Sequence, residues 1–172
     1  MKKWKILQAK PGFSMIEILA VLFIVSMALM GIVSLIIQNI QVQSINKNNL
    51  VASSLAQEGI ELIRKTRDSN WRAGLPFDDG LSDGSYRMDF RLGTPVPLNN
   101  SQEAKIYLSN GFYINQTGAE TELLPTIFSR RIIINRLTTY VGSPLQVRSL
   151  VSWTDRGHPY NYELRTLLFD WK

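Results

Sequence analysis

The chain contains no cysteine and a single histidine in its 172 residues. The first absence excludes disulfide scaffolds, thiolate zinc sites, iron–sulfur clusters and thiol nucleophiles. With a single histidine, His158, the chain has no second histidine to complete a metal site. We interpret His158 as an exposed turn residue. The sequence also has no glycine-rich phosphate loop and no pair of catalytic carboxylates. We therefore expect a protein that is not an enzyme and that carries no cofactor.

Charge is absent from residues 18–46 and concentrated in the first twelve residues. Four lysines and no acid stand in that leading segment: Lys2, Lys3, Lys5 and Lys10. They supply four of the five net positive charges of the whole chain. Nucleic-acid binding calls for a basic patch on the folded domain. Since the basic character lies mostly outside that domain, we expect no nucleic-acid partner.

One long apolar run extends from Phe13 to Ile37, with Glu17 as its single charge. As a helix it would span roughly 37 Å, more than the hydrocarbon core of about 30 Å. The lysines before it predict a cytoplasmic N-terminus by the positive-inside rule. A secretory signal peptide fits less well, because the run is longer than an h-region and no A-x-A-like site follows. A simple membrane anchor would explain every feature except Glu17.

Glu17 is the unusual residue of this run. A carboxylate within the membrane costs about 2.5–3.5 kcal/mol even on the lenient insertion scale. The next cation along the chain is Lys47, so nothing within the run can pair with it. The partner of Glu17 must therefore come from another chain or from a charge newly created nearby.

The start of the apolar run resembles a known processing signal. The motif is Gly12-Phe13-Ser14-Met15-Ile16-Glu17, and it is similar to the prepilin cleavage and methylation signal of type IV pilins and type II secretion pseudopilins. The resemblance implies that a membrane prepilin peptidase cuts between Gly12 and Phe13 and then methylates the new amine of Phe13. It also implies that this amine, a cation, meets Glu17 of a neighbouring subunit in the core of a filament.

Beyond the apolar run the pattern indicates more helix and then strands. Helical spacing continues over 38–70, with an inward face of Val51, Leu55, Gly59, Leu62 and Thr66, and with Asp68-Ser69-Asn70 as the expected end. Residues 73–84 and 93–104 are predicted loops, and 154–161 a predicted turn. Strict alternation predicts a strand over 85–92, and the Asn110-Gly111 turn signal joins two β-rich runs within 105–115. Further strands are predicted over 126–137, 146–153 and 162–169.

We therefore predict an α+β protein in which one long N-terminal helix packs on an antiparallel sheet of five or six strands. The pilin resemblance implies the same fold. The predicted segments are a leader over 1–12, a membrane and filament-core helix over 13–37, an amphipathic continuation over 38–70 and a β domain over 71–172. The end of the chain, VRSLVSWTDRG…YELRTLLFDW, looks most like V-type minor pilins or I-type pseudopilins.

A turn after the helix holds three carboxylates in a glycine-rich setting, Asp78, Asp79 and Asp83. Calcium prefers six to eight oxygen ligands, and this loop lacks the distal glutamate of an EF-hand. A solvated turn is the interpretation that we favour over a calcium site.

Two functions remain open from the sequence. The first is a structural subunit, a minor pilin or pseudopilin, that crosses the inner membrane once and then joins an extracytoplasmic filament. Its expected partners are other pilin subunits, the prepilin peptidase, the inner-membrane assembly platform and membrane lipid. The second is a permanently anchored extracellular binding module, an adhesin or sensor that does not polymerise.

Overall fold

The computed structural model describes residues 12–115 and 123–170. The predicted leader lies outside the described residues except for Gly12. The fold class is α+β, with one long N-terminal helix and an antiparallel sheet, as predicted and consistent with a pilin-like fold. The chain divides into an N-terminal unit, Met1–Ser44, and a C-terminal unit, Ile45–Lys172. Helix α1 (Met15–Ala73) contributes residues to both units.

In the N-terminal unit, α1 is apolar on all sides. Ser14 precedes the helix, and its carbonyl accepts hydrogen bonds from Glu17 N (3.0 Å) and Ile18 N (3.2 Å). Every residue from 12 to 43 is exposed. By length and composition the helix could cross a membrane, and none of its most apolar window is buried. A helix that is hydrophobic all round needs an apolar environment that this unit does not itself provide.

In the C-terminal unit, α1 buries one face against the sheet. The buried positions recur every three or four residues, as predicted: Ala52, Leu55, Ala56, Gly59, Ile60, Leu62, Ile63, Thr66 and Arg67. The predicted end at residues 68–70 is wrong, because the helix continues to Ala73. It ends where Gly74 adopts a left-handed φ of 73°, and Gly74 N and Leu75 N donate to Trp71 O and Asn70 O. This is the Schellman pattern, which favours glycine.

Seven antiparallel strands are found in the described residues, against the five or six predicted. Their bounds are β1 Gly84–Arg87, β2 Val96–Pro97, β3 Lys105–Ser109, β4 Phe112–Asn115, β5 Leu124–Arg136, β6 Leu145–Asp155 and β7 His158–Leu168. The long strand β5 is central: β6 and then β7 lie on one side of it, and β1 and β3 share the other side. β2 pairs with β1, and β4 pairs with β3. A short 3-10 turn, Ser101–Ala104, follows the Asn100 cap.

The core lies between α1 and the inner face of this sheet. Near the N-terminal end of this part of α1, Leu55 packs in one cluster with Val151 and Trp153. Two turns later, Ile63 packs in the other cluster with Ile134 and Val147. The helix in this unit therefore runs along the strands, in the direction of β5 and β7 and opposite to β6.

The strand predicted over 85–92 stops at Arg87. Tyr86 and Met88 are buried as the alternation requires, but Phe90 is 49% exposed and Asp89 is fully buried. Asp89 Oδ1 accepts from Arg91 N (2.9 Å), and Asp89 O accepts from Leu92 N (3.1 Å). This aspartate turn reverses the chain and ends the strand, because the side chain competes for a backbone N–H.

Turn predictions had mixed outcomes. The Asn110-Gly111 hairpin is confirmed between β3 and β4, with positive φ values of 50° and 82°. The broad turn predicted over 154–161 is wrong: only Arg156 and Gly157 separate β6 from β7, again at 50° and 82°. Such two-residue turns match the twist of paired strands. His158 is exposed as expected, but it begins β7 rather than lying in the turn.

The loops also hold more structure than predicted. Residues 73–84 are not a free linker, because Phe77 and Leu81 are buried in the core. Asn70 Nδ2 donates to Phe77 O (3.3 Å) and Asp79 O (2.8 Å), which ties the loop to the end of α1. In the predicted loop over 93–104, Val96–Pro97 forms the two-residue strand β2.

Candidate functional site

The predicted processing site lies immediately before α1. Gly12, Phe13 and Ser14 have no regular secondary structure, and the helix begins at Met15. Gly12 is exposed, and a Cβ added to it would meet no atom within 4 Å. The described surroundings therefore leave Gly12 and Phe13 accessible to another protein.

Glu17 lies one turn along the helix on the side of Phe13. Phe13 and Glu17 both line a shallow hollow of about 280 Å³, together with Ile18, Val21 and Leu22. A carboxylate in the first turn is favoured by the partial positive charge of the helix N-terminus. The structure thus brings together the two residues that the sequence singled out, on one face of the helix.

No hydrogen bond or ion pair is found for the Glu17 carboxylate within residues 12–115 and 123–170. Ser26, in the same apolar stretch, differs: its hydroxyl donates to Phe23 O at 2.8 Å. Ser26 therefore satisfies its polar atom inside its own helix, as apolar surroundings require. Glu17 needs a donor from outside the described chain.

Two of the three aspartates in the turn after α1, which the sequence favours as a solvated turn over a calcium site, contact Arg136. Asp78 pairs with the Arg136 guanidinium, and Asp83 Oδ1 accepts from Arg136 N at 2.7 Å. Among the described residues, no group of three or more histidine, aspartate or glutamate side chains is arranged to hold a metal ion. The loop is joined to β5 by these contacts.

Sequence reasoning missed the buried arginine of the C-terminal unit. Arg130 is 1% exposed, and its guanidinium donates to Leu55 O (2.9 Å), Glu58 Oε2 (2.8 Å) and Met88 O. It thereby joins α1, β5 and the segment after β1. Its neighbour Arg131 is exposed on the opposite face, as strand alternation predicts. No local signal distinguishes the two arginines.

A second charge, Asp89, is also buried, although the alternation over 85–92 places it on the face opposite Tyr86 and Met88. Asp89 Oδ2 accepts from Asn115 N (2.9 Å) and from Arg91 Nη2 (2.9 Å), and Arg91 Nη2 also donates to Asn115 O (2.8 Å). Burial alone would raise the pKa of Asp89, but these hydrogen bonds and the Arg91 charge outweigh it and hold the pKa below its ordinary value. This network stabilises the fold.

Comparison with known proteins adds no assignment to this geometry. No protein-family model matches the chain, and neither a curated protein nor a solved structure is significantly similar to it.

Proposed function

We propose that this chain is a structural subunit of a type IV pilus or related pseudopilus filament. In this proposal it is inserted once in the inner membrane with its N-terminus in the cytoplasm. A prepilin peptidase then cuts it between Gly12 and Phe13 and methylates the Phe13 amine. An inner-membrane assembly platform moves it from lipid into an extracytoplasmic filament of pilin subunits.

One observation supports the proposal most strongly: the apolar part of α1, exposed up to residue 43, carries the carboxylate of Glu17 in its first turn, next to the proposed cleavage point. The described residues offer this carboxylate no hydrogen-bond or ion-pair partner. Such a helix is stable in lipid, and it is equally stable among other apolar helices, because lipid tails are as apolar as leucine. Hydrophobic transfer therefore changes little between the two environments. Another interaction must determine which helices associate and at what axial offset.

The Glu17 carboxylate is suited to that selection. An ionised or a neutral carboxyl group without a partner is unfavourable where water is excluded. The new amine of a cleaved neighbour is a cation of the right kind to pair with it. The pair forms only at the axial offset that brings the two groups within reach, so it favours one arrangement of the helices over others.

The test compares Glu17→Gln and Glu17→Leu with wild type in cells that hold a prepilin peptidase and form filaments. Both variants should insert and be cleaved normally, yet be depleted from sheared filaments relative to their membrane pools. Ser26→Ala is the matched control, because its hydroxyl bonds within its own helix. This control should co-sediment with filaments as wild type does.

Intact-mass measurement of the mature chain distinguishes the proposal from its alternative. A processed subunit begins at methylated Phe13, whereas a permanently anchored binding module retains the leader. Normal filament entry of both Glu17 variants would show that Glu17 is not the assembly contact. A chain that keeps Met1 and never sediments with filaments would establish the anchored module instead.

A further inference from the structure

The two edges of the sheet differ in how well they are protected against pairing with a further strand. On the side of β1 and β3, the outer strands are β2, which has two residues including Pro97, and β4. Proline offers no N–H to a further strand. At the end of β4, the backbone N–H and carbonyl of Asn115 are bonded to Asp89 and Arg91. Short length, proline and side-chain capping protect this side from another strand.

The other side ends in β7, a strand of eleven residues. In the described part of the chain, β7 pairs with β6 alone. An edge strand of this length presents a row of backbone donors and acceptors that another strand can use. The protection found on the opposite side is therefore missing along most of β7.

The β6–β7 turn determines which backbone groups of β7 face outward. Asp155 and His158 flank the two-residue turn, so they exchange both backbone hydrogen bonds. Bonded and non-bonded pairs alternate from there along an antiparallel ladder. The residues whose backbone groups point away from β6 are Pro159, Asn161, Glu163, Arg165 and Leu167. Since Pro159 has no N–H, the usable edge runs from Asn161 to Leu167.

We propose that this edge pairs antiparallel with β7 of a second copy of the chain, with Leu164 on the two-fold axis. In this register Glu163 of each copy lies opposite Arg165 of the other, and Asn161 lies opposite Leu167. Two-fold symmetry forms each of these pairs twice. The sheet then continues across both molecules through the outward backbone groups of both copies.

Charge selects this register over its neighbours. Sliding the strands by one pleat in one direction places Glu163 opposite Glu163, and in the other direction Arg165 opposite Arg165. Like charges directly opposite each other destabilise a strand pair, whereas opposite charges stabilise it. Charged residues on an edge usually prevent pairing. Here their order excludes the shifted registers and favours the one centred on Leu164.

The inner face of β7 is compatible with the same register. Tyr162, Leu164 and Thr166 are half-buried on the side that faces α1, with their outer flanks uncovered. The pairing brings Leu164 against Leu164 and Tyr162 against Thr166. Apolar surface at the rim of the core is thereby covered in both copies.

The geometry also fixes how the two copies are oriented. Within the C-terminal unit α1 runs in the direction of β7, so in an antiparallel pair the two helices run in opposite directions on one face of the joined sheet. Subunits of one filament, or chains anchored in one membrane, are expected to point the same way. The antiparallel pair therefore differs from the parallel arrangement expected within one filament, and this self-recognition goes beyond filament assembly.

The absence of cysteine allows a direct test on the purified full chain in mild detergent. Leu164→Cys places one thiol per copy on the two-fold axis, at a non-hydrogen-bonded pair whose Cα separation of about 4.5 Å suits a disulfide. Oxidation should give a covalent dimer. Tyr162→Cys should not cross-link with itself, but should do so when mixed with Thr166→Cys. Phe112→Cys, which is exposed on β4, is the control for random collision.

Charge reversal tests the register. Arg165→Glu in the Leu164→Cys background should lower dimer formation by about tenfold, because both opposite-charge pairs become like-charge pairs. Adding Glu163→Arg should restore it. Melting temperatures of the variants, measured without oxidant, serve as the folding control. Cross-linking no greater than that of Phe112→Cys would overturn the proposal, as would a Leu164→Cys dimer that is unaffected by charge reversal. Neither result depends on filament formation or on cleavage at Gly12.

Discussion

One helix, α1, shows two contrasting halves. Up to residue 43 all its side chains are exposed, including large apolar ones such as Phe23 and Met30. From Ala52 to Arg67 a regular face is buried against the sheet, and exposed residues such as Glu61 and Lys65 lie on the other side. Within the C-terminal half, burial follows the spacing of three and four residues that the sequence predicts. In the first half no such face exists.

This contrast identifies what each half requires. The C-terminal half is stabilised by packing within its own unit, as most helices in globular proteins are. The N-terminal half has no such packing in the described structure, so it needs an apolar environment that the described residues do not provide. Substitutions in the two halves should therefore have different consequences, and the following predictions proceed from the largest expected effect to the smallest.

Replacing Arg130 should have the largest effect on folding. Arg130→Met removes the charged donor that joins α1, β5 and the segment after β1, and leaves Met88 O without this partner. Losing a charge-assisted donor and leaving a buried carbonyl without its partner together cost about 3 kcal/mol. Urea denaturation of the full chain in detergent, followed by tryptophan fluorescence, should show a loss of this size in the free energy of unfolding.

The partner of Arg130 provides the matched control. The Glu58 side chain is 32% exposed, so Glu58→Gln removes a charge that water can partly replace. The substitution leaves the buried Arg130 guanidinium without its counter-charge, but the glutamine oxygen can still accept its hydrogen bond. The cost should therefore be about 1–2 kcal/mol, less than that of Arg130→Met. Equal losses for the two variants would show that the ion pair, and not the bonds to backbone carbonyls, is what Arg130 contributes.

The sequence was a good guide where one element determines its own structure. Local spacing and turn chemistry explain the burial of Leu55 and Leu62 and the hairpin at Asn110-Gly111. The strand predicted over 146–153 is found within β6. Phe13 and Glu17 were singled out from sequence, and the structure places both beside one hollow. Cleavage at Gly12 and the role of Glu17 remain predictions, because they depend on other proteins.

The misses concern residues whose environment is set by distant parts of the chain. Arg130 and Arg131 are neighbouring arginines that no local sequence signal distinguishes. The fold buries Arg130, which donates to the carbonyls of Leu55 and Met88. Asp89 looks like a solvent-facing strand residue until Asn115 and Arg91 are brought next to it. Local pattern cannot reveal a partner that lies 26 to 75 residues away.

Gly31 and Gly59 allow a direct comparison of the packing around the two halves of α1. A Cβ added at Gly59 would lie 2.5 Å from Ser149 Oγ, whereas one added at Gly31 would meet nothing within 4 Å. Gly59→Ala should cost about 1–3 kcal/mol through overpacking. Gly31→Ala should leave the unfolding of the C-terminal unit unchanged, and it favours the helix by about 1 kcal/mol.

Ser149→Ala checks the cause of the Gly59 effect. Ser149 Oγ is buried, and the described residues give it no hydrogen-bond partner, so removing it should cost little. The double variant Gly59→Ala/Ser149→Ala should recover much of the lost stability, measured as a double-mutant cycle. No recovery would indicate that the close approach of Arg130 Cδ, at 3.3 Å, dominates instead.

Acid should weaken the packed unit through Asp89. Because its folded pKa lies below the ordinary value of about 3.9, its contribution is fully present above pH 4 and is lost as the pH falls through the folded pKa. Asp89→Asn should therefore cost about 2 kcal/mol at neutral pH. The difference from wild type should shrink in unfolding measurements below pH 4. A constant difference at all pH values would contradict this account.

The smallest effect is expected at the loop that follows α1. The Asp78 and Arg136 side chains are 25% and 33% exposed, so Asp78→Asn should cost at most about 1 kcal/mol. A calcium ion would have to displace Arg136, which already neutralises Asp78 and whose N–H binds Asp83. The melting temperature of the full chain should therefore be the same in calcium and in chelator, and Asp79→Asn should behave as wild type. A calcium-dependent rise that Asp78→Asn abolishes would instead establish a metal site at this loop.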